Sequence, residues 1–223
     1  KSSDSTGTIL DCKKQGKVFI HKAILDKGTL NKSDVIDMSV EKDKRKAVAI
    51  HHSATHLMHA ALKEVLGEHV QQKGSLVDEH KLRFDFSHSK PLSKEEISQV
   101  ETIVNHEMLT NVEVTTEIME LDKAMESGAQ ALFGEKYDDE VRVLSMGKKS
   151  FSVELCGGTH VDRTGDMGLF IIVNQSSVAS GIRRIEAHLG KQAISYLEEL
   201  RAVNDSIQSL LNSPQDSLED KIK

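Results

Sequence analysis

The feature that most constrains the fold of this chain is a pair of short fragments, His52–His56 and Cys156–His160, each of which places two metal donors four positions apart. In an α-helix, side chains at positions i and i+4 lie on the same face, so the first pair can point at one ion. The second pair encloses Gly157 and Gly158, and a turn there lets a thiolate and an imidazole approach one point. One cysteine and three histidines match the preference of zinc for nitrogen and sulfur. Together the fragments predict one four-ligand zinc site.

Spacing alone leaves a second interpretation open. Histidine occupies 11 of the 223 positions, so pairs at i and i+4 also arise by chance, and each pair by itself is a weak signal. These histidines would then be ordinary core or surface side chains, which is how we interpret most histidines outside the two fragments. Among them, only His59 shares the helical face of the first pair. The histidines interpreted in this way are His59, His69, His80, His88, His106 and His188.

Hydrophobic periodicity predicts regular structure around both fragments. Residues 46–66 lack proline and repeat apolar side chains at helical spacing, which predicts a helix that carries the first histidine pair. Residues 75–86 alternate as a hairpin does, and residues 150–155 predict a strand that leads into the second fragment. Ser93 followed by Glu96 has the pattern of a capping box, so we expect a helix to begin there.

The remaining patterns predict an α+β fold in three parts. Residues 1–41 form a partial β-barrel subdomain, a small antiparallel β-barrel or sheet; residues 42–190 form a zinc-containing α+β core; and residues 191–223 form a helical linker. The apolar stripe at 191–211 predicts packing on a partner or on a following domain. The first part rests on short alternating runs at Thr8–Leu10, Lys17–Ile24 and Asp34–Ser39. Further predicted elements of the core are strands at 112–120, 141–144 and 168–174 and a helix at 121–133.

Composition excludes several classes of protein. With 29% charged and 38% hydrophobic residues and no apolar run long enough to cross a bilayer, the chain is expected to be cytoplasmic, without a membrane partner. Two cysteines, Cys12 and Cys156, do not form a disulfide framework. A net charge of −6 argues against a protein that coats nucleic acid nonspecifically, since such binding neutralises many phosphates. The start at Lys1, without methionine, predicts a piece of a longer protein.

Six motifs, in order, resemble the editing domain of bacterial alanyl-tRNA synthetases, and the resemblance covers residues 8–190. The motifs are His52-Ser-Ala-Thr-His56-Leu-Met-His-Ala-Ala-Leu, Gln72-Lys-Gly-Ser-Leu-Val, Leu82-Arg-Phe-Asp-Phe-Ser-His88, Ala131-Leu-Phe-Gly-Glu-Lys-Tyr137, Glu154-Leu-Cys-Gly-Gly-Thr-His160 and Ser180-Gly-Ile-Arg-Arg-Ile-Glu-Ala187.

The resemblance implies an aminoacyl-tRNA deacylase that removes wrongly attached serine or glycine from tRNA for alanine. It further implies one zinc ion and, as partners, the acceptor end of that tRNA and the remainder of an ATP-binding synthetase, with an oligomer formed through the carboxy-terminal region. The positions that match the metal ligands are His52, His56, Cys156 and His160, of which His160 is either the fourth ligand or a nearby polar group.

Other site residues are predicted around these ligands. Gln72 matches a glutamine of the family's amino-acid pocket, so its amide is a candidate to bind a serine hydroxyl. The candidate catalytic residues are Gln72, Cys156 and Thr159. The candidate substrate-binding residues are Gln72, Gly157, Arg183 and Arg184.

Three other functions stay open. The first is a stand-alone deacylase of the AlaX type, and the second is the editing domain of a threonyl-tRNA synthetase, whose second motif lacks the Gly-Gly-Thr found here. The third is a zinc-stabilised RNA-binding or interaction module without hydrolytic activity. The family begins its barrel with a Gly-Gly-Gln segment that has no match here, so the barrel is expected to lack a strand and part of the pocket wall.

Overall fold

A computed structural model describes residues 4–16, 18–131 and 137–211, in two compact units, Lys1–Lys42 and Asp43–Lys223. In the first unit, strands β1 (Thr6–Gln15) and β2 (Val18–Lys27) form an antiparallel hairpin. Its apolar side chains are largely exposed, as Phe19 is at 62%. The antiparallel structure predicted for this region is therefore a two-stranded sheet.

The rest of the chain is an α+β structure, which confirms the predicted fold class. Its described residues form two antiparallel sheets, of which one has four strands and the other three. The elements are, in order, α1 (Lys42–Leu66), β3 (Gln72–Val77), β4 (Leu82–Ser87), α2 (Lys94–Leu109), β5 (Thr115–Glu120), α3 (Leu121–Glu126), β6 (Glu140–Met146), β7 (Ser152–Leu155), β8 (Phe170–Ala179), β9 (Ile182–Leu189) and α4 (Gly190–Leu211).

The main core lies between α1, α2 and the four-stranded sheet, whose strand order is β3-β4-β9-β8. Helix α1 packs its apolar face into this core, where Leu57 and Leu62 are completely buried. Alternation in β4 turns Leu82, Phe84 and Phe86 into the same core. Burial of these large side chains stabilises the helix that carries the histidine pair, at about 1.5–3 kcal/mol for each side chain.

The three-stranded sheet, with order β5-β6-β7, connects the second fragment to this core. In β7, Leu155 joins a smaller apolar cluster with Val143 of β6, whereas Glu154 faces the opposite way. Glu154 is therefore directed at α1, to which it is hydrogen bonded. The sheet thus places the residues that follow β7 beside the histidines of α1.

Local signals account for several predicted elements and for two errors. The capping box at Ser93 and Glu96 is present and begins α2. The helix predicted over 121–133 ends at Glu126, because Gly128 adopts φ = +86° just beyond the cap and stops it. Positions 132 and 133 of that prediction lie outside the described structure. The strand predicted over Asp34–Ser39 is also wrong, since the described chain forms no strand there.

Helix α4 carries the predicted apolar stripe. Its apolar side chains are largely exposed, and only Ala193 is buried. The exposed residues of the stripe are Ile194, Leu197, Leu200, Val203, Ile207 and Leu210. None of the helices within the described ranges is long and apolar enough to cross a membrane.

Candidate metal centre

Two elements bring the four predicted metal donors together. Helix α1 carries His52 and His56 one turn apart, and the loop after β7 carries Cys156 and His160. One ligand atom from each side chain lies within 4.8 Å of those of the other three. Because the two pairs are about 100 residues apart in sequence, this convergence is a product of the tertiary fold.

Two of the donor separations match those expected around a tetrahedral ion. Nε2 of His160 lies 3.3 Å from Sγ of Cys156, and Nε2 of His52 lies 3.6 Å from the same sulfur. Zinc bonds of ~2.0–2.1 Å to nitrogen and ~2.3 Å to sulfur place neighbouring donors of a tetrahedron about 3.3–3.8 Å apart. Nε2 of His56 is buried and has no hydrogen-bond partner within the described residues, a condition that a bound metal would relieve. These residues therefore fit zinc.

The sulfur of Cys156 is prepared for a metal by its surroundings. Burial opposes ionisation of the thiol, but the imidazoles of His160, His52 and His56 outweigh this effect and lower the pKa of Cys156 to about 3. The thiolate is the form that binds metals. Cys156 therefore needs to lose no proton at neutral pH when a metal binds.

A buried carboxylate, Glu154, receives two hydrogen bonds from α1. His56 donates from Nδ1 to Oε2 at 2.7 Å, and His59 donates from Nδ1 to Oε1 at 2.8 Å. Burial would lower the pKa of His56, but the charge of Glu154 outweighs it and raises that pKa to about 10. Burial would likewise raise the pKa of Glu154, but His56 and His59 hold it at about 2. Glu154 is therefore ionised at neutral pH.

The glycine-containing loop passes directly against the ring of His52, one of the candidate ligands. A Cβ added at Gly158 would lie 2.2 Å from Cε1 of His52, whereas one added at Gly157 would meet no described atom within 4 Å. Arg142 of β6 fixes this loop, since Nη1 donates to the carbonyl oxygen of Gly158 and the backbone carbonyl of Arg142 accepts from the N–H of Cys156. Close packing therefore requires glycine at 158 and tolerates a side chain at 157.

His160 has a partner of a different kind. Its Nδ1 lies 3.3 Å from Oγ of Ser53, which also accepts from the N–H of Val161 at 3.1 Å. A hydroxyl both donates and accepts, so Ser53 does not fix which nitrogen of His160 carries the proton. Burial lowers the pKa of His160, which favours the neutral ring. His160 can therefore act as a ligand through Nε2 or donate from Nε2 to Cys156, the two roles predicted for it.

Two of the other predicted site residues, Gly157 and Thr159, lie in the same loop, and both are exposed. Gln72 instead begins β3 of the four-stranded sheet, where it is half-buried and pairs with Phe86 of β4. The structure thus places these residues on two different parts of the second unit.

The two predicted arginines occupy successive positions in β9 and therefore lie in different rows of the sheet. Arg183 pairs with Phe86, so it shares a row with Gln72 across three neighbouring strands. Arg184 lies in the next row, where its guanidinium makes two hydrogen bonds of 2.7 Å to the carboxylate of Asp85. This bidentate pair fixes the guanidinium of Arg184 on the sheet.

Residue patterns did not identify three of the side chains that support the donors, namely Glu154, Ser53 and Arg142. Glu154 left one signal, a carboxylate between Val153 and Leu155 in the strand next to Cys156, because glutamate is almost never fully buried unless it is paired. Ser53 and Arg142 left no signal, since an isolated serine in a helix and an arginine in a strand are ordinary surface residues.

Comparisons with known proteins relate the chain to aminoacyl-tRNA synthetases. The family model described as the threonyl and alanyl tRNA synthetase second additional domain matches residues 141–186, which include Cys156 and His160. Over 215 residues, 96% of its length, the chain is 49% identical to the alanine–tRNA ligase of Saccharophagus degradans and 48% identical to that of Psychromonas ingrahamii. It spans 24% and 25% of these relatives, about a quarter of each. Over 96% of its length the chain therefore corresponds to a segment of alanine–tRNA ligases, and this segment includes the match to the second additional domain.

Proposed function

We propose that this chain hydrolyses the ester that joins an amino acid to the terminal ribose of tRNA. Its substrates would be tRNA for alanine that carries serine or glycine by mistake. The observation that carries the proposal is the convergence of His52, His56, Cys156 and His160 in a segment shared with alanine–tRNA ligases. Editing would complement a synthetic site shaped for alanine, because a small pocket discriminates against glycine and serine by only a few kcal/mol.

The donor set supports zinc as the cofactor. When bound, zinc supplies Lewis-acid polarisation of a carbonyl oxygen and lowers the pKa of water. His52, His56 and Cys156 would hold the ion, and His160 would be the fourth ligand or a hydrogen-bond donor to Cys156. Catalytic zinc commonly keeps three protein ligands and one open position, and the adaptable Ser53–His160 contact is compatible with that arrangement.

The remaining roles follow from the chemistry of each side chain. The amide of Gln72 would bind the serine hydroxyl, and an alanine substrate would leave it unpaired, which favours removal of serine over alanine. Gly157 and Thr159, exposed beside the donors, would present backbone and hydroxyl groups to the substrate. Arg183 and Arg184 would contact phosphate or the terminal adenosine, although Arg184 would have to share its guanidinium with Asp85.

The partners proposed with this activity are the acceptor end of tRNA for alanine and the remainder of an alanine–tRNA ligase. Because the chain matches about a quarter of each relative, the comparisons support the remainder of the ligase as a partner. We further propose that the longer protein acts in the cytoplasm and associates through its carboxy-terminal region. The exposed apolar stripe of α4 is consistent with packing against a further element.

A second candidate is a zinc-stabilised module that binds without hydrolysing. The observation that favours it is that four protein donors close a tetrahedral shell, as structural zinc sites do. In that case the ion would contribute to folding, and its removal would unfold the second unit.

The deciding experiment is deacylation of seryl-, glycyl- and alanyl-tRNA for alanine by the chain, with bound zinc measured in the same preparations. We expect rapid loss of serine with alanine spared, and loss of both activity and zinc in Cys156→Ala. Cys12→Ala is the matched control, because Cys12 is an exposed free cysteine of the first unit. If the folded, zinc-loaded chain leaves all three esters intact, the binding module becomes the better account.

A further inference from the structure

The carboxylate of Glu154 contacts two histidines of α1, of which only His56 belongs to the donor group. Its side chain is 4% exposed, and those of His56 and His59 are 6% and 7% exposed. An ionised carboxylate accepts hydrogen bonds and donates none. Each histidine must therefore carry a proton on Nδ1, which leaves Nε2 of His56 as the nitrogen available to a metal.

We infer that Glu154 is a positioning residue that sets the tautomer and ring orientation of His56 for metal binding, and that His59 holds the other oxygen of Glu154 in place. The inference rests on the metal site proposed above. Partners that fix ligating histidines in this way commonly contribute tenfold to a hundredfold in metal affinity.

The position of His59 supports a holding role. It lies three residues after His56 on the same helix face, and its ring packs 5.3 Å, centroid to centroid, from the buried Phe84. Its Nδ1 is committed to Glu154, and it is not a member of the donor group. With one oxygen bonded to each histidine, the carboxylate cannot rotate without breaking a buried hydrogen bond, which is costly.

The chemistry of glutamine makes the inference testable with little change in shape. In Glu154→Gln, the amide keeps one acceptor and replaces the other with a donor. One of the two histidines would then face an N–H group and have to move its proton to Nε2. If that histidine is His56, its Nε2 can no longer bind a metal, so the variant should favour a wrongly protonated ligand.

The test compares zinc affinity, by chelator competition, in the full chain and in Glu154→Gln, Glu154→Asp and Glu107→Gln. Glu107 is a matched control, because it is also a buried glutamate and accepts from the N–H of Lys148, away from the donors. We expect affinity to fall by about tenfold to a hundredfold in Glu154→Gln, less in Glu154→Asp, and to stay unchanged in Glu107→Gln. Substituted Co²⁺ should show altered absorption bands in Glu154→Gln and unchanged bands in Glu107→Gln.

A second measurement needs no variant. In the zinc-loaded wild-type chain, long-range proton–nitrogen NMR should show protons on Nδ1 of both His56 and His59. A folded Glu154→Gln with wild-type affinity and Co²⁺ spectrum, or an unprotonated Nδ1 on His56, would overturn the inference while leaving the metal site intact. Absence of zinc from the wild-type chain would instead refute the proposed function on which the inference rests.

Discussion

At the scale of single residues, the candidate centre depends on neighbours that are not themselves ligands. Arg142 holds the loop that carries Cys156, and Glu154 holds His56. Gly158 has a steric role, because its backbone lies directly against the ring of His52. Placing the ligands therefore requires groups that keep the rings and the loop in one arrangement.

The tight contact at Gly158 gives the first prediction. In Gly158→Ala the added methyl group would overlap the His52 ring, so either the ring or the loop must move, and we expect zinc affinity to fall by about tenfold or more. Gly157→Ala is the matched control, because the same methyl group there enters open space within the described structure. Chelator competition measures both variants, and equal affinities would contradict the steric argument.

The four donors that converge were predictable from sequence and the side chains that support them were not, for a physical reason. The spacing of His52 and His56 is a local property that helical geometry converts into a shared face. The bond from His56 to Glu154 spans 98 residues, and that between Ser53 and His160 spans 107. Such contacts depend on how the three-stranded sheet packs on α1, which no local pattern encodes.

At the scale of elements, local hydrogen bonds determine where helices begin and end. At the start of α2, the side chain of Ser93 accepts from the N–H of Glu96 at 3.1 Å, and the carboxylate of Glu96 accepts from the N–H of Ser93 at 2.6 Å. We predict that Ser93→Ala lowers the free energy of unfolding by about 1 kcal/mol. Urea denaturation measures the change.

Ser98→Ala is the control for this second prediction. Ser98 is an exposed serine within the same helix, where alanine has the better helix propensity and should be neutral or slightly stabilising. Equal destabilisation by the two substitutions would mean that the capping box contributes nothing beyond helix propensity.

The same local physics explains which elements were predicted well. The hairpin of β3 and β4 follows from the alternation of Leu82, Phe84 and Phe86, which burial of these side chains enforces. Alternation at Asp34–Ser39 lacks that support, since Val35 is 88% exposed and the segment is not a strand. For α3, the apolar pattern continues past Glu126, but Gly128 ends the helix, a stop signal that outweighs the pattern.

At the scale of the whole molecule, the chain concentrates its core and its candidate centre in the second unit. Every buried apolar side chain of the described residues lies at Ala49 or beyond, as do all four donors. We therefore predict that a chain without residues 1–41 keeps wild-type zinc affinity and stoichiometry. Metal analysis and thermal unfolding monitored by circular dichroism would measure this, and loss of zinc from the shortened but folded chain would contradict it.

The buried pair of His56 and Glu154 gives a pH dependence to the stability of the metal-free chain. The pKa of His56 is raised from 6.5 to about 10. Its contribution to the free energy of unfolding is therefore complete below pH 6.5 and is lost as pH rises towards 10. The pKa of Glu154 is lowered from 4.5 to about 2. Its contribution to the free energy of unfolding is therefore complete above pH 4.5 and is lost as pH falls towards 2. The pair therefore stabilises the fold most between pH 4.5 and 6.5.

The wild-type chain and Glu154→Gln, both treated with chelator, isolate this contribution from that of other titrating groups. We expect the difference between their free energies of unfolding to be largest at pH 4.5–6.5 and to shrink towards pH 10, because His56 then loses the charge that pairs with Glu154. Urea denaturation across this range measures the difference, and one that grows above pH 6.5 would refute the pairing. Zinc should reverse the alkaline trend, since binding requires His56 without its Nε2 proton and becomes easier as pH rises.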